Sequence, residues 1–279
     1  MAKRVESPSS INTFKQCSRK YYYQYIEKLP TKKSIHLVRG NIAHSTLEDF
    51  YDIEVINFSN DNYHTKFKTA LQRLLLHQWG QYQEELAKLN LNPDQLKFYF
   101  EETMLMILNW GNHFLRDFSQ RLKTYGSSIP EVFLEMTPIR EEKYVSEVHS
   151  VQGFIDAIHL EGDQIHIVDY KTNAKSEMKS SILLQLAIYG LLYEEKHGKL
   201  PDKVGIFFLR DQKKMLPVVP DMIQRAKAEI EMIHAHTSMT EEINDYPKKI
   251  TPLCKWSTGQ CDFYEVCQPH GKINVRSRF

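Results

Sequence analysis

Near Tyr125-Gly126 the spacing of apolar residues changes from steps of three and four to steps of two, and that switch restricts the fold more than any other feature. Upstream, Phe67, Leu71, Leu74, Leu75, Trp79, Tyr82 and Leu86 mark one face of a helix over 63–90. Phe100, Met104, Ile107, Gly111, Phe114, Phe118 and Leu122 do the same over 93–124, which opens at Pro93 after an NLNP turn. At those spacings an aromatic and Met-rich face is core. Downstream, residues 131–138, 147–160 and 164–171 alternate as strands, and LEGDQ joins the last two as a hairpin. The pattern then predicts a helix over 179–197, strands over 203–210 and 215–219, a helix over 220–236 and a cysteine-bearing tail. Before the switch, a short helix is expected over 9–28 with Ser9 or Ser10 as its cap, and another over 41–57 after a turn at Gly40. The expectation is one α/β domain over 1–279, a mixed sheet flanked by helices, with 60–128 as a helical insertion.

Charge and cysteine content narrow the function. Lys and Arg number 36 against 35 Asp and Glu, for a net charge of +1, so any nucleic-acid partner needs a local basic surface. No apolar run approaches the ~18 residues of a membrane span. The segment MAKRVESPSSINTFKQC lacks the apolar stretch of a signal peptide, so a cytoplasmic location is expected, with no membrane partner. Four cysteines in that compartment argue against disulfides and leave core thiols or ligands. Cys17 stands alone, whereas Cys254, Cys261 and Cys267 crowd the end.

The predicted hairpin carries charge where a pure core would not. Asp156 ends Gly153-Phe154-Ile155-Asp156, and Asp169 and Lys171, two apart on one strand, share a face. Two carboxylates and an ammonium converging at strand ends make a hard-oxygen cation site. Phosphodiester hydrolysis uses that combination: a divalent cation polarises the phosphate and acidifies water, and the lysine orients that water. Taken singly, each residue is as compatible with a solvated ion pair on a sheet.

The ordered set resembles the PD-(D/E)XK nucleases. Ile155-Asp156 followed by Asp169-Tyr170-Lys171 is similar to their signature, with Ile in place of Pro. Gln185 to Tyr189 resembles the Gln-x-x-x-Tyr motif of the RecB-like branch, and Gly40 to His44 its G-x-x-x-H motif. The resemblance spans about 7–270, and the 60–128 helices carry none of it. It implies a restriction-endonuclease-like fold and a Mg²⁺ or Mn²⁺ site held by His44, Asp156, Asp169 and the Tyr170 carbonyl. The imidazole tilts that site toward Mn²⁺. Lys171 then positions water, and Gln185 and Tyr189, one turn apart, reach DNA or the scissile phosphate. Glu135 is a lesser candidate, as an outer or second-metal acid.

Four thiolates suit an iron–sulfur cluster or tetrahedral zinc, and spacing does not choose between them. The same RecB-like branch has a class with one upstream and three downstream cysteines. It includes the AddB-type helicase–nuclease subunit and CRISPR-adaptation nucleases, and it binds a [4Fe–4S] cluster. The resemblance implies that Cys17, Cys254, Cys261 and Cys267 hold such a cluster, joining the N- and C-terminal segments over 17 and 250–270. The KWSTGQ stretch between Cys254 and Cys261 is longer than is common in that class. Arg19 and Lys20, beside Tyr21, Tyr22, Tyr23 and Tyr25, are candidate DNA contacts. The expected activity is a metal-dependent, single-stranded-DNA exonuclease, 5′→3′ by the resemblance, of cellular or phage origin. No Walker A motif is present, so the chain is not itself a helicase. The rival is a non-catalytic DNA-binding or scaffold subunit of a recombination or CRISPR-adaptation assembly.

Overall fold

The computed structural model describes residues 4–256 and 259–268. Residues 257, 258, 269 and 270 of the expected cysteine segment lie outside the described residues. The chain divides into two compact units, one of residues 33–144 and 154–223, the other of residues 1–32, 145–153 and 224–279.

The larger unit holds the helices that precede the sheet. Helix α3 runs Ile35–Phe50, α4 Tyr63–Gln81, α5 Gln83–Ala87, α6 Pro93–Tyr125 and α7 Ile129–Met136. Asn92 caps α6 through the Gln95 N–H, and Pro93 sits in its first turn. Two expectations need correction here. Gly40 is not a turn but lies inside α3, which starts at Ile35 behind the Ser34 cap. The 131–138 segment is helical, because Ser128 and Glu131 form a capping box around Pro130 and Ile129, Val132 and Phe133 bury one helical face.

The sheet has the order β1-β2-β3-β4-β5, from β1 (Ile139–Ser146), β2 (Val151–Glu161), β3 (Gln164–Lys171), β4 (Lys203–Phe208) and β5 (Lys213–Pro217). β2 and β3 pair antiparallel through the Gly162-Asp163 turn, where Gly162 takes φ +62°. β3 and β4 pair parallel across α8 (Ser180–His197), and β4 and β5 antiparallel. The sheet is therefore mixed and flanked by helices. The helical insertion shares its core with the sheet: Phe67, Leu71, Phe114 and Phe118 bury in one cluster with Ala157, Val168, Tyr170 and Phe207. Gly111 permits the closest approach of α4 and α6, since a Cβ there would meet Leu71 Cδ1 at 2.4 Å.

In the smaller unit, α1 (Pro8–Gln16) is capped by Ser7, not by Ser9 or Ser10; Ser10 completes the box from the third helical position. The helix expected over 9–28 breaks at Cys17, which is extended at φ −163°, before α2 (Ser18–Tyr21) and one π-helical turn over Tyr22–Ile26. Tyr21, Tyr22 and Tyr23 are buried with Tyr246 and Phe263. α9 (Pro220–Met239), the two-residue strands β6 (Lys255–Trp256) and β7 (Gly259–Gln260), and α10 (Tyr264–Cys267) follow. Among the described residues no helix is long and apolar enough to cross a membrane.

Candidate functional site

In the larger unit, α3, β1, β2 and β3 bring four polar side chains to one place. His44 comes from the middle of α3, Glu141 from β1, Asp156 from β2 and Asp169 from β3. One ligand atom each of His44, Glu141 and Asp156 lies within 4.8 Å of the others. His44 Nδ1 is 3.4 Å from Asp156 Oδ2 and 3.9 Å from Glu141 Oε1. His44 Nε2 is 3.0 Å from the Tyr170 carbonyl oxygen, and the Tyr170 N–H donates to Asp156 Oδ2 at 2.8 Å. The main chain of Tyr170 thus fixes both the imidazole and the carboxylate, leaving Nδ1 directed at the acids.

Sequence reasoning missed Glu141. It lies on β1, an edge strand rich in charged residues (IREEKYVS), and holds φ +47°, a left-handed conformation uncommon for a residue with a Cβ. Strain of that kind gathers where a side chain is re-aimed at a site. The paired acids Glu141-Glu142 were the available signal. Glu135, expected on a strand, is instead exposed on α7 and lines a separate cavity with Arg121 and His159.

Asp169 is 1% exposed and turns the other way. Its Oδ1 accepts from Gln185 Nε2 at 2.8 Å. Lys171 Nζ pairs with its buried Oδ2 at 2.7 Å. Gln185 Nε2 also donates to the Tyr189 hydroxyl at 2.8 Å. Tyr189 is only 5% exposed and Gln185 is half-buried, and together they brace Asp169 from α8.

Burial alone would lower the pKa of His44, but Glu141, Asp156 and Asp169 outweigh it and hold the group at about 9. Burial, then the neighbouring Asp169, pushes Asp156 above the usual carboxylate range, against His44 and the Tyr170 N–H. Burial opposes the charge of Lys171, yet Asp169 and Asp156 raise its pKa overall. The clustered acids hold positive charge around them. A His–Glu–Asp donor set fits a divalent cation, with His44, Glu141 and Asp156 able to ligate it and Asp169 beside them.

The thiols gather in the smaller unit. All four are free, and they line one cavity of about 50 Å³ with Lys20 and Lys248. The long spacer between Cys254 and Cys261 folds back on itself: Lys255 pairs with Gln260, Trp256 with Gly259, and the Cys261 N–H donates to the Cys254 carbonyl at 3.0 Å. The insertion therefore keeps the two cysteines adjacent. Burial raises the thiol pKa of Cys261 and of Cys267, and the nearness of Cys17 adds to it. Arg19 Nε donates to the Tyr246 carbonyl at 2.7 Å, and the tyrosines beside it are core, not a platform for bases.

The profile of the PD-(D/E)XK nuclease superfamily matches residues 6–268. A crystal structure of a provisionally named exonuclease from Eubacterium rectale is similar at 11% identity and a TM-score of 0.47, over 95% of this chain and 93% of that one. No curated protein matches the chain.

Proposed function

Since the chain belongs to the PD-(D/E)XK nuclease superfamily, we propose that it is a metal-dependent deoxyribonuclease of the RecB-like branch, acting as a single-stranded-DNA exonuclease with 5′→3′ polarity. The observation that carries the reading is the convergence of His44, Glu141, Asp156, Asp169 and Lys171 around the middle of β2 and the end of β3. His44, Glu141 and Asp156 would hold Mg²⁺ or Mn²⁺, with Asp169 and the Tyr170 carbonyl adjacent. The cation supplies Lewis-acid polarisation of the phosphate and a more acidic water.

The protein's own groups do the rest. Lys171, held to Asp169, keeps an ammonium where it orients the attacking water and offsets charge building on the phosphoryl oxygens. Gln185 and Tyr189 fix Asp169 and through it Lys171. Tyr170 fixes His44 and Asp156 through its main chain.

The four cysteines are read as ligands of a structural [4Fe–4S] cluster. Four thiols lining one cavity suit either such a cluster or tetrahedral zinc, and metal content decides between them. The test is degradation of end-labelled DNA by folded, iron-loaded protein. Cutting that needs Mg²⁺ or Mn²⁺ and vanishes in Lys171→Ala, with DNA binding retained, supports the reading. Equal behaviour of wild type and variant would favour the DNA-binding scaffold.

A further inference from the structure

Beside the acids, the larger unit has an open groove of about 390 Å³, a volume suited to one nucleotide-sized group. Its lining is mixed in chemistry. His36, Leu37 and Tyr82 bring two rings and an aliphatic side chain to the lining, and Asn41, Lys171 and Asn173 bring hydrogen-bonding groups. Glu48 and Glu141 also line it, so a phosphate would enter only once a cation offsets them.

Tyr82 reaches this groove because of a local break. The apolar spacing predicts one helix over 63–90, yet α4 stops at Gln81 and α5 starts at Gln83. Tyr82 sits between them at φ −89°, ψ 11°, outside helical geometry, with its N–H on the Gln78 carbonyl at 3.1 Å. The break thus falls at the residue from 60–128 that lines the groove.

We propose that Tyr82, with His36 and Leu37, is a base-stacking surface that makes this groove selective for unpaired nucleotides. A base has two π-faces to offer only when its neighbours and complement do not cover them. The rings and Leu37 take the base, and the amide and ammonium groups take the sugar–phosphate. Duplex DNA presents edges in its grooves and no free faces, so it meets the acids without engaging Tyr82. The helical insertion accordingly supplies a specificity residue, and Tyr82 is a substrate-contacting group separate from the cation site.

The inference rests on the nuclease reading but is tested apart from it, by fluorescence anisotropy of labelled oligo-dT on the full chain in Ca²⁺ and by cleavage kinetics in Mg²⁺. Stacking contributes ~1–3 kcal/mol per base, so Tyr82→Ala should weaken binding and raise KM by about 5- to 150-fold, with kcat within about twofold. Tyr82→Phe, which keeps the ring, should stay within about twofold of wild type in both. An oligonucleotide of abasic residues should bind wild type and Tyr82→Ala alike, an effect that loss of packing would not produce. Unchanged oligo-dT affinity in Tyr82→Ala, or the same loss on abasic strands, overturns the proposal. Failure of the wild type to cut, with the binding differences intact, would overturn the nuclease reading alone.

Discussion

Asp156 is expected to weaken the fold it serves. It is 9% exposed, lies beside Asp169, and has a carboxyl raised by burial first and by that neighbour second. Asp156→Asn keeps the volume and an oxygen to accept the Tyr170 N–H now at 2.8 Å from Oδ2, while removing the charge. It also gives up the attraction to His44 Nδ1 at 3.4 Å, but Glu141 still faces that ring. Relief of a desolvated like-charge contact is worth ~1–3 kcal/mol. Without metal at pH 8, Asp156→Asn should therefore melt higher, by ~2–4 °C for each kcal/mol. Because the folded-state carboxyl is raised, the cost of its charge is complete above its folded pKa, and the gain should fade as pH falls toward 4. Saturating Mn²⁺ should invert the order: a ligand at ~100 Kd adds about 2.7 kcal/mol to the wild type, and the variant forgoes most of it. Differential scanning fluorimetry with EDTA and with Mn²⁺, at pH 5 and pH 8, reads all of this. A variant that melts lower in EDTA at pH 8 and still responds to Mn²⁺ like the wild type would refute the reasoning.

Other outcomes follow from the same geometry. His44, held at about 9, and the raised Asp156 must both lose protons to accept a cation, so Mn²⁺ affinity by isothermal titration should climb from pH 6 to pH 9; a flat profile would contradict the ligand set. In the cation-free protein the raised His44 stabilises the fold fully below its ordinary 6.5, and this is lost as pH rises through about 9, so chemical denaturation should show stability falling across that window. Anaerobically purified protein should be brown and contain iron, and Cys261→Ser should lose both and melt lower, since the cluster closes a very long loop; zinc in place of iron would select the rival stapled form. Gly111→Ala should lower stability by ~1–3 kcal/mol in denaturant titration, because its Cβ would meet Leu71 at 2.4 Å.

Much of the fold was legible because strong periods met strong punctuation. The strand expected over 164–171 is β3 itself, bounded by Gly162-Asp163, and Asn92-Pro93 marks the start of α6. Errors arose where two templates fit. Val132, Phe133 and Met136 suit a helical period as well as a loose alternation, and the Ser128 capping box decides for helix. That misreading displaced the first strand, hid Glu141 on a charged edge strand, and drew attention to Glu135. Asp156, Asp169, Lys171 and His44 stand out in the sequence because their order resembles a family pattern, whereas the hydrogen bonds by which Gln185 and Tyr189 brace Asp169 depend on tertiary packing, which no spacing encodes. Near Cys17, likewise, the tyrosine run read as a surface for bases is sealed by Tyr246 and Phe263, residues far away in sequence.

The central claim is that the Asp156–Asp169–Lys171 cluster hydrolyses DNA. The most direct measurement is degradation of a 5′-labelled and a 3′-labelled single strand by wild type and Lys171→Ala in Mg²⁺, Mn²⁺ and EDTA. The account predicts metal-dependent cutting by the wild type, none in EDTA, and a loss of at least ~10²-fold in Lys171→Ala. Folded, iron-loaded wild type that leaves both strands intact, or Lys171→Ala that cuts as fast as the wild type, would contradict it.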